Sequence, residues 1–364
     1  MMLSSGKLTN LLRLADAAGR FKMLAVDQRD SMRAALAKAA GRQPRDVAYE
    51  EMAATKALIT ELLSPHSTAT LVDPIYGLPR AVKIVPGDVG LLVAVEDGEY
   101  EQVGTTGRER KTRLLDGWSV AQAKRSGVNA IKLLLYDTPE ASAEVRAHQR
   151  QIVRRVGEEC VRHDLPFLLE LVTYPIEDAS ADTPEFARKR PRHAIDGARE
   201  FSDASFHVDL LKLQFPADLK YARQFHQAVF DGKERPAVYS LEEIRAFCRE
   251  LNEATRRPWV LLSGGVGIQE FLVDLELAVE AGASGFLCGR AIWQEVLPLH
   301  PNRERMRGYL VSTAVYNYVR ANATAERARP WYSHPHVGGW ENVRLHDGDA
   351  EWYRRYGTSP QRGD

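Results

Sequence analysis

The sequence predicts an α/β protein, a (β/α)8 TIM barrel with an N-terminal helix and a C-terminal extension. Eight short apolar segments alternate with longer amphipathic ones, and alternating strands and helices indicate a parallel sheet. The eight units occupy roughly 270 residues, close to the size usual for such a barrel. A doubly wound open sheet would usually carry a GxGxxG turn after its first strand, where this chain has AVDQRDS.

The predicted strands and helices follow in order along the chain. A long charged connection at 177–206 is expected to hold another helix, and residues 1–324 are expected to form the barrel. Residues 325–364 are aromatic and charged, and are predicted to form an extension whose role the sequence leaves open. The predicted strands are 21–27, 69–74, 91–96, 130–137, 166–174, 210–216, 258–265 and 285–290, and the clearest helices are 117–127, 142–164, 240–257 and 268–282.

Composition limits the classes of partner. Lys and Arg together number 49, as do Asp and Glu, which argues against nucleic acid or a membrane surface as a partner. Cys160, Cys248 and Cys288 lie far apart without CxxC spacing, a pattern that argues against disulfides or structural zinc and fits a reducing, cytoplasmic location. No signal peptide is recognisable, and no segment approaches the ~20 apolar residues of a membrane span.

A lysine in the middle of a buried strand is the first chemical signal. Lys212 lies in HVDLLKLQFPAD (207–218), and lysine is almost never fully buried unless another group pairs with it or uses it. Because side chains alternate along a strand, the apolar neighbours of Lys212 are predicted to face the helices, whereas Lys212 and Gln214 face the barrel interior. The same alternation turns Lys132 and Glu170 inward on the fourth and fifth strands.

Carboxylates also end the first three predicted strands, at Asp27, Asp73 and Glu96. Since the active site of a barrel lies at the C-terminal ends of its strands, two lysines and up to four carboxylates are expected to converge there. The structural alternatives are a buried ion-pair network and strand-end carboxylates that only cap turns.

Schiff-base chemistry requires such a group of residues. A neutral lysine attacks a ketone and forms an imine, and both desolvation and a neighbouring ammonium group lower the pKa of that lysine. Lys212 is the predicted nucleophile, Lys132 the neighbouring cation and Glu170 the group that transfers protons.

Glycine-rich segments after the seventh and eighth strands predict a phosphate site. In many barrels these two loops bind phosphate through backbone N–H groups, although tight turns alone would also explain the glycines. A second anion site is less defined, with Arg29 as one candidate and the cations of the run 104–118 left unassigned because most charge runs are solvated. The predicted phosphate residues are Ser263, Gly264, Gly265, Gly289 and Arg290, and the cations of the run are Arg108, Arg110, Lys111 and Arg113.

Eight motifs occur in the order found in a known family. They are LAVDQR (24–29), DPIYGLP (73–79), LLVAVEDGEYE (91–101), KLLLYD (132–137), FLLELVTY (167–174), VDLLKLQFP (208–216), LLSGGV (261–266) and LCGRAIW (287–293). Over roughly residues 10–300 the chain thereby resembles the tagatose 1,6-bisphosphate aldolase family, which includes sulfofructose-phosphate aldolases and other ketose-phosphate lyases.

The resemblance implies a class I, Schiff-base aldolase with a TIM-barrel fold. It implies that Lys212 forms the Schiff base, Glu170 is the acid/base, Lys132 is a helper lysine and Asp27 orients the substrate hydroxyls and the lysines. Ser263, Gly264, Gly289 and Arg290 resemble the pocket for the C1-phosphate. Gly265, Gln28 and Arg29 are added to the predicted substrate- and phosphate-binding residues.

The implied reaction cleaves a phosphorylated ketose between C3 and C4, giving dihydroxyacetone phosphate and an aldehyde such as glyceraldehyde 3-phosphate. It needs no metal or other cofactor, and a homo-oligomer, a dimer or tetramer, is expected. The sequence departs from the family at Gln214, where an acidic residue is expected, and in the tail from about residue 325, which has no recognised counterpart.

Two other functions are weighed against this one. A zinc-dependent aldolase needs several histidines at strand ends, but none of the ten histidines ends a predicted strand, and HPH (334–336) lies in the tail. A non-catalytic sensor of sugar phosphates would need the loops after the seventh and eighth strands. It would have no use for Lys132, Glu170 and Lys212 together.

Overall fold

Eight parallel strands close into a barrel, which confirms the predicted fold class. The computed structural model describes residues 1–105, 107–346 and 349–356. Each strand pairs with the next one along the chain, and the eighth pairs with the first. The strands are β1 (Phe21–Val26), β2 (Ala69–Val72), β3 (Gly90–Ala94), β4 (Ala130–Asp137), β5 (Phe167–Thr173), β6 (Leu210–Leu213), β7 (Trp259–Leu262) and β8 (Gly285–Cys288).

The barrel wall separates two hydrophobic cores, as the alternation of side chains along each strand predicts. Leu211 and Leu213 of β6 belong to the outer core, between the strands and the helices. Leu210 of the same strand belongs to the inner core, which also holds Phe21 and Leu168. Apolar side chains thus fill the lower barrel, and the polar inward positions lie nearer the C-terminal ends of the strands.

Helices connect and surround the strands, and those predicted from the sequence are confirmed with slightly shorter bounds. The connection between β5 and β6 contains a long helix, as expected, and the following helix begins with a capping box between Ser240 and Glu243. The helices are α1 (Ser5–Leu12), α2 (Asp30–Ala39), α3 (Tyr49–Leu63), α4 (Leu78–Ile84), α5 (Val120–Arg125), α6 (Ala143–Arg162), α7 (Pro184–Phe201), α8 (Leu241–Ala254), α9 (Ile268–Ala281), α10 (Arg290–Trp293), α11 (Arg303–Tyr309), α12 (Val315–Ala325) and α13 (Trp352–Arg355).

A small antiparallel hairpin follows β3. Its strands, Glu101–Val103 and Glu109–Lys111, pair with each other. Beside it, Glu96 forms an isolated bridge with Leu114. The hairpin therefore extends from the end of β3 that carries Glu96, at the C-terminal ends of the barrel strands.

The C-terminal tail packs at the opposite end of the barrel. The backbone N–H of Trp331 donates to Gly19 O, just before β1, and His334 Nε2 lies 3.2 Å from Thr255 Oγ1, just before β7. Residues Arg344–Leu345 pair in parallel with Met2–Leu3. The described part of the tail thus covers the N-terminal ends of the strands, away from the predicted site. Among the described residues, no helix is long and apolar enough to cross a membrane.

Candidate active site

One carboxylate joins the two inward lysines. Lys212 and Glu170 are direct partners in the β5–β6 register, and Lys212 Nζ lies 2.9 Å from Glu170 Oε2. Lys132 Nζ lies 3.0 Å from the same oxygen. All three residues are buried. The three strands therefore bring together the residues that alternation predicted to face inward.

Lys132 is surrounded by negative charge. Its Nζ lies 2.8 Å from Asp27 Oδ2 and 2.6 Å from Glu96 Oε1, in addition to its contact with Glu170. Burial alone would lower the pKa of Lys132, but the charges of the three carboxylates outweigh burial and raise this pKa well above its ordinary value. Lys132 is therefore a fixed cation at neutral pH.

Asp27 and Glu170 are held in their ionised form. Burial would raise the pKa values of Asp27 and Glu170, but the ammonium groups of Lys132 and Lys212 lower both values by more. The second oxygen of Asp27, Oδ1, is buried and has no hydrogen-bond partner among the described residues. It is thus available to accept a hydrogen bond from a ligand hydroxyl.

Asp73, the fourth predicted carboxylate, makes different contacts. Its Oδ2 lies 2.8 Å from Lys56 Nζ, and its Oδ1 accepts hydrogen bonds from the backbone N–H groups of Ile75 and Tyr76. Lys56 comes from α3 and also donates to Val26 O at 2.6 Å. Asp73 therefore orders the turn after β2, and the convergence on the lysines involves three carboxylates, not four.

The loops after β7 and β8 meet through Arg290 and Gly265. A side chain at Gly265 would place its Cβ 2.8 Å from the guanidinium carbon of Arg290, and the φ of Gly265 is +86°. Arg290 is only partly buried and has no ion pair with any described residue. Gly264 also has positive φ, and the Ser263 side chain lies close to the Cys288 thiol. These residues form one group beside the end of β8.

Gly289 and Gln28 connect this group to β1. A Cβ at Gly289 would lie 2.4 Å from Ala25 O and 3.1 Å from Gln28 Nε2, so only glycine allows this approach. The neighbouring Arg29 is directed to β3 instead, because one of its nitrogens donates to Glu96 O at 2.7 Å. Gln28 Oε1 and Arg29 Nη1 are buried without partners among the described residues.

Gln214 lies just past the end of β6, where strand alternation no longer applies. Its Oε1 accepts a hydrogen bond from Thr173 N at 2.8 Å. It lines a small cavity with Asp137 of β4 and with His193 and Gly197 of α7. Gln214 thus contacts the outer side of the barrel wall. The sequence had predicted that its side chain faces the barrel interior.

Three of the four cations of the run 104–118 are engaged locally. Arg108 donates to the backbone carbonyls of Ile176 and Asp178. Lys111 pairs with Glu144 at 2.6 Å, and Arg113 pairs with Asp97 at 2.8 Å. The fourth, Arg110, packs against aromatic rings and has no carboxylate partner within the described chain.

Within the described residues, no group of three or more His, Cys, Asp or Glu side chains has an arrangement that could hold a metal ion. His334 of the HPH motif is buried against Thr255 at the far end of the barrel, and its pKa is lowered to about 4, mainly by burial. The three cysteines are free and buried.

Comparisons with known proteins agree with the predicted resemblance. The model of the DeoC/LacD family aldolases matches residues 21–295. A tagatose 1,6-diphosphate aldolase of Lactococcus lactis subsp. lactis is 35% identical over 336 residues, covering 91% of this chain and 99% of the relative. A tagatose 1,6-diphosphate aldolase of Streptococcus pneumoniae serotype 4 is 36% identical over 295 residues, covering 80% of this chain and 86% of the relative. These matches confirm the resemblance.

A solved structure confirms the similarity of fold over nearly the whole chain. The fructose-bisphosphate aldolase of Plasmodium falciparum superposes with a TM-score of 0.63, covering 90% of this chain and 98% of that one. Only 14% of the residues are identical, so this comparison concerns the fold alone.

Proposed function

Because the chain belongs to the DeoC/LacD family of aldolases, we propose that it is a class I aldolase that cleaves a phosphorylated ketose between C3 and C4. The observation that carries this proposal is the contact of Lys212 and Lys132 with one oxygen of Glu170, at 2.9 and 3.0 Å. The substrate resembles tagatose or fructose 1,6-bisphosphate, and the names of the Lactococcus and Streptococcus relatives support tagatose 1,6-bisphosphate.

Imine formation begins with a proton transfer. Lys212 gives a proton to Glu170, and the free amine attacks C2 of the ketose. Lys132 cannot compete as the nucleophile because three carboxylates keep it protonated. Glu170 then returns the proton to the carbinolamine hydroxyl, water leaves, and a protonated imine remains on Lys212.

Carbon–carbon cleavage uses the same carboxylate. Glu170, again ionised, takes the proton from the C4 hydroxyl, and the C3–C4 bond breaks to release the aldehyde. The bonding electrons move into the protonated imine, which becomes an enamine. The enamine is then protonated at C3, and water hydrolyses the imine to release dihydroxyacetone phosphate and regenerate Lys212.

The groups around the lysine orient the substrate. The unpartnered Oδ1 of Asp27 accepts a hydrogen bond from a substrate hydroxyl. The C1-phosphate binds at the loops after β7 and β8, where Arg290 supplies an unpaired positive charge beside Gly264 and Gly265. Ser263, Gly289 and Gln28 border this pocket, and Arg29 holds Glu96 in place beside Lys132.

The assignment is tested by measuring triose phosphate release from tagatose and fructose 1,6-bisphosphates, with and without EDTA. We expect turnover that EDTA does not change, and its complete loss in Lys212→Met. Lys124→Met, at an exposed lysine, serves as the control and is expected to retain wild-type activity. Activity of Lys212→Met near that of wild type, or loss of wild-type activity with EDTA, would contradict the proposed mechanism.

A further inference from the structure

Lys56 is a buried lysine to which the proposed reaction assigns no step. It lies on α3, outside the barrel wall, and only 1% of its surface is exposed. Its Nζ is 2.8 Å from Asp73 Oδ2, and both side chains are completely buried. Lysine is almost never buried in this way unless another group pairs with it or uses it. The proposed mechanism explains Lys132 and Lys212, but it leaves Lys56 without a role.

Stability alone does not account for this ion pair. Removing two charges from water costs about as much free energy as their attraction returns, and hydrophobic residues of similar volume often replace a buried pair without loss of stability. The residues one turn from Lys56 on α3 are Met52, Ala53 and Ile59, all apolar and fully buried. A hydrophobic side chain would therefore suit this position, and the charge points to a function.

A second contact connects Lys56 to the active site. Its Nζ donates to Val26 O at 2.6 Å. Val26 is the last residue of β1, and the next residue is Asp27, whose Oδ2 lies 2.8 Å from Lys132 Nζ. Because the carbonyl of Val26 and the N–H of Asp27 belong to one planar peptide unit, a hydrogen bond to this oxygen restrains the backbone that directs the Asp27 side chain.

Asp73 fixes Lys56 in turn. The Oδ1 atom of Asp73 accepts hydrogen bonds from the backbone N–H groups of Ile75 and Tyr76, so the carboxylate has a defined position after β2. Burial lowers the pKa of Lys56, and the charge of Asp73 opposes this change and favours the ammonium form. A chain of contacts thus runs from the turn after β2, through the ion pair, to the end of the neighbouring strand β1.

The two oxygens of Asp27 have different surroundings, so the orientation of this side chain matters. Its Oδ2 contacts Lys132, whereas Oδ1 is buried and has no hydrogen-bond partner among the described residues. Burial would raise the pKa of this carboxyl, but the charges of Lys132, Lys212 and Lys56 lower it by more. Lys56 thus influences both the orientation and the ionised form of Asp27.

We propose that Lys56, supported by Asp73, is a positioning residue that holds Asp27 with one oxygen on Lys132 and the other free for a substrate hydroxyl. This inference rests on the proposed function and deepens it, since it gives that site a positioning residue behind the barrel wall. Loss of Lys56 is expected to act on the rate of cleavage, because the C1-phosphate residues after β7 and β8 stay in place.

Two double variants test this role against a purely structural one. Lys56→Met with Asp73→Asn removes both charges, and the amide oxygen can still accept hydrogen bonds in the turn after β2. The matched control is Lys7→Met with Asp209→Asn. Lys7 Nζ and Asp209 Oδ2 form a buried pair of the same length, 2.8 Å, at the N-terminal ends of the strands, and Asp209 also accepts from the backbone N–H of Phe167. Should the first variant not fold, Lys56→Gln with Asp73→Asn replaces it, because two amides can hydrogen-bond to each other.

Steady-state kinetics on tagatose 1,6-bisphosphate give the main result. We expect kcat of the Lys56 double variant to fall roughly 10–100-fold, as a displacement of about 1 Å can cause, with KM within about threefold of wild type. The Lys7 double variant should keep kcat within about threefold of wild type. In an Asp27→Asn background, the Lys56 and Asp73 changes should lower kcat by no more than about threefold further, because the effects of residues that act through one another do not add.

Three results would overturn the inference. One is a kcat of the folded Lys56 double variant within about threefold of wild type. Another is an equal loss in the Lys7 double variant, which would indicate a general effect of losing a buried ion pair. The third is an undiminished further loss in the Asp27→Asn background, which would show that Lys56 acts through another group.

A failure of the proposed function gives a different result, because the wild-type protein would then cleave no ketose bisphosphate. In that case, crystal structures of the wild type and of the Lys56 double variant decide. An Asp27 side chain that is displaced or takes several orientations in the variant supports the inference. An unchanged contact between Asp27 and Lys132, 2.8 Å long in the wild type, overturns it.

Discussion

Glu170 places one carboxylate oxygen between two ammonium groups, which is why we propose that it transfers the protons. Both ammonium groups lower its pKa, although burial opposes them, so the carboxylate starts the reaction ionised. An ionised Glu170 can take the proton of Lys212 at 2.9 Å and later that of the C4 hydroxyl. Lys132 lies 3.0 Å from the same oxygen and keeps a fixed positive charge beside it.

Replacing Glu170 with Gln is expected to slow cleavage by roughly 10²–10⁴-fold, because an amide accepts no proton at neutral pH. The measurement is kcat for the ketose bisphosphate. Glu144→Gln, at an exposed glutamate, is the control and should keep wild-type kcat. A kcat within about threefold of wild type in Glu170→Gln would indicate that another group transfers the protons.

For residues on strands, the sequence predicted correctly which way each side chain points, because side chains alternate between the two faces of a strand. Lys132, Glu170 and Lys212 each lie within a strand, so the face of each could be predicted. Lys56 could not be predicted, because it reaches Asp73 from α3 and no strand pattern relates the two. A lysine within the apolar run MAATKALI was the available signal.

At the scale of elements, the loops after β7 and β8 meet at one close contact, between Gly265 and the Arg290 guanidinium group. Gly265→Ala would introduce a Cβ where φ is +86° and where the Arg290 guanidinium lies 2.8 Å away. We expect the variant to displace Arg290 and raise KM for the phosphorylated ketose roughly tenfold, as the loss of one charged contact does. Gly87→Ala, where no atom lies within 4 Å of the added Cβ, should leave KM unchanged. An unchanged KM in Gly265→Ala would remove Arg290 from the phosphate site.

The contact between β4 and α7 predicts a dependence of stability on pH. Burial, together with the charge of Glu200, raises the pKa of Asp137 from 3.8 to about 6. The unfolded chain thus ionises this carboxyl at a lower pH than the folded chain. The folded state therefore loses stability as the pH rises from about 4 to about 6, and the loss is complete above that range.

Asp137→Asn is expected to avoid this loss. The variant should be more stable than wild type at pH 7, by up to about 3 kcal/mol, and should differ little from it at pH 4. Urea unfolding at both pH values measures the two differences. The exposed Asp116→Asn provides the control, with the same small effect at each pH. A gain for Asp137→Asn that is equal at pH 4 and pH 7 would show that ionisation is not its cause.

The surroundings of Arg110, in the hairpin after β3, could not be predicted from the sequence because they depend on how distant parts of the chain pack together. Arg108, Arg110, Lys111 and Arg113 form a charged run in and just after the hairpin. Such runs are usually solvated, so the sequence offered no reason to single out Arg110. Of the three tyrosines around Arg110, Tyr100 precedes the first hairpin strand, Tyr136 lies on β4 and Tyr174 follows β5. Only the folded barrel brings these elements together.

At the scale of the whole molecule, the described part of the tail and the candidate active site lie at opposite ends of the barrel. Trp331 is fully buried in the inner core with Leu3 and Phe21, below the polar layer of the site. Since residues 325–364 followed no strand or helix pattern, the sequence did not indicate which end they would cover. Their described part is joined to the N-terminal residues through the pairing of Met2–Leu3 with Arg344–Leu345.

Trp331→Ala is expected to reduce the free energy of unfolding by about 3–5 kcal/mol, because it leaves a large cavity. The kcat/KM of the folded protein should stay within about twofold of wild type, since the site is at the other end. Chemical denaturation and steady-state kinetics measure these quantities. Trp340→Ala, at a half-exposed tryptophan of the same tail, should cost no more than about 1 kcal/mol. A large loss of kcat/KM without a loss of stability would connect the tail to the site.

The central claim is that Lys212 forms an imine with a ketose phosphate, and borohydride trapping tests it most directly. The protein would be mixed with dihydroxyacetone phosphate, reduced with sodium borohydride, digested and examined by peptide mass spectrometry. We predict a reduced adduct on Lys212, with none on Lys132, which three carboxylates keep protonated. Absence of an adduct from the folded protein, or an adduct on another lysine in place of Lys212, would contradict the account.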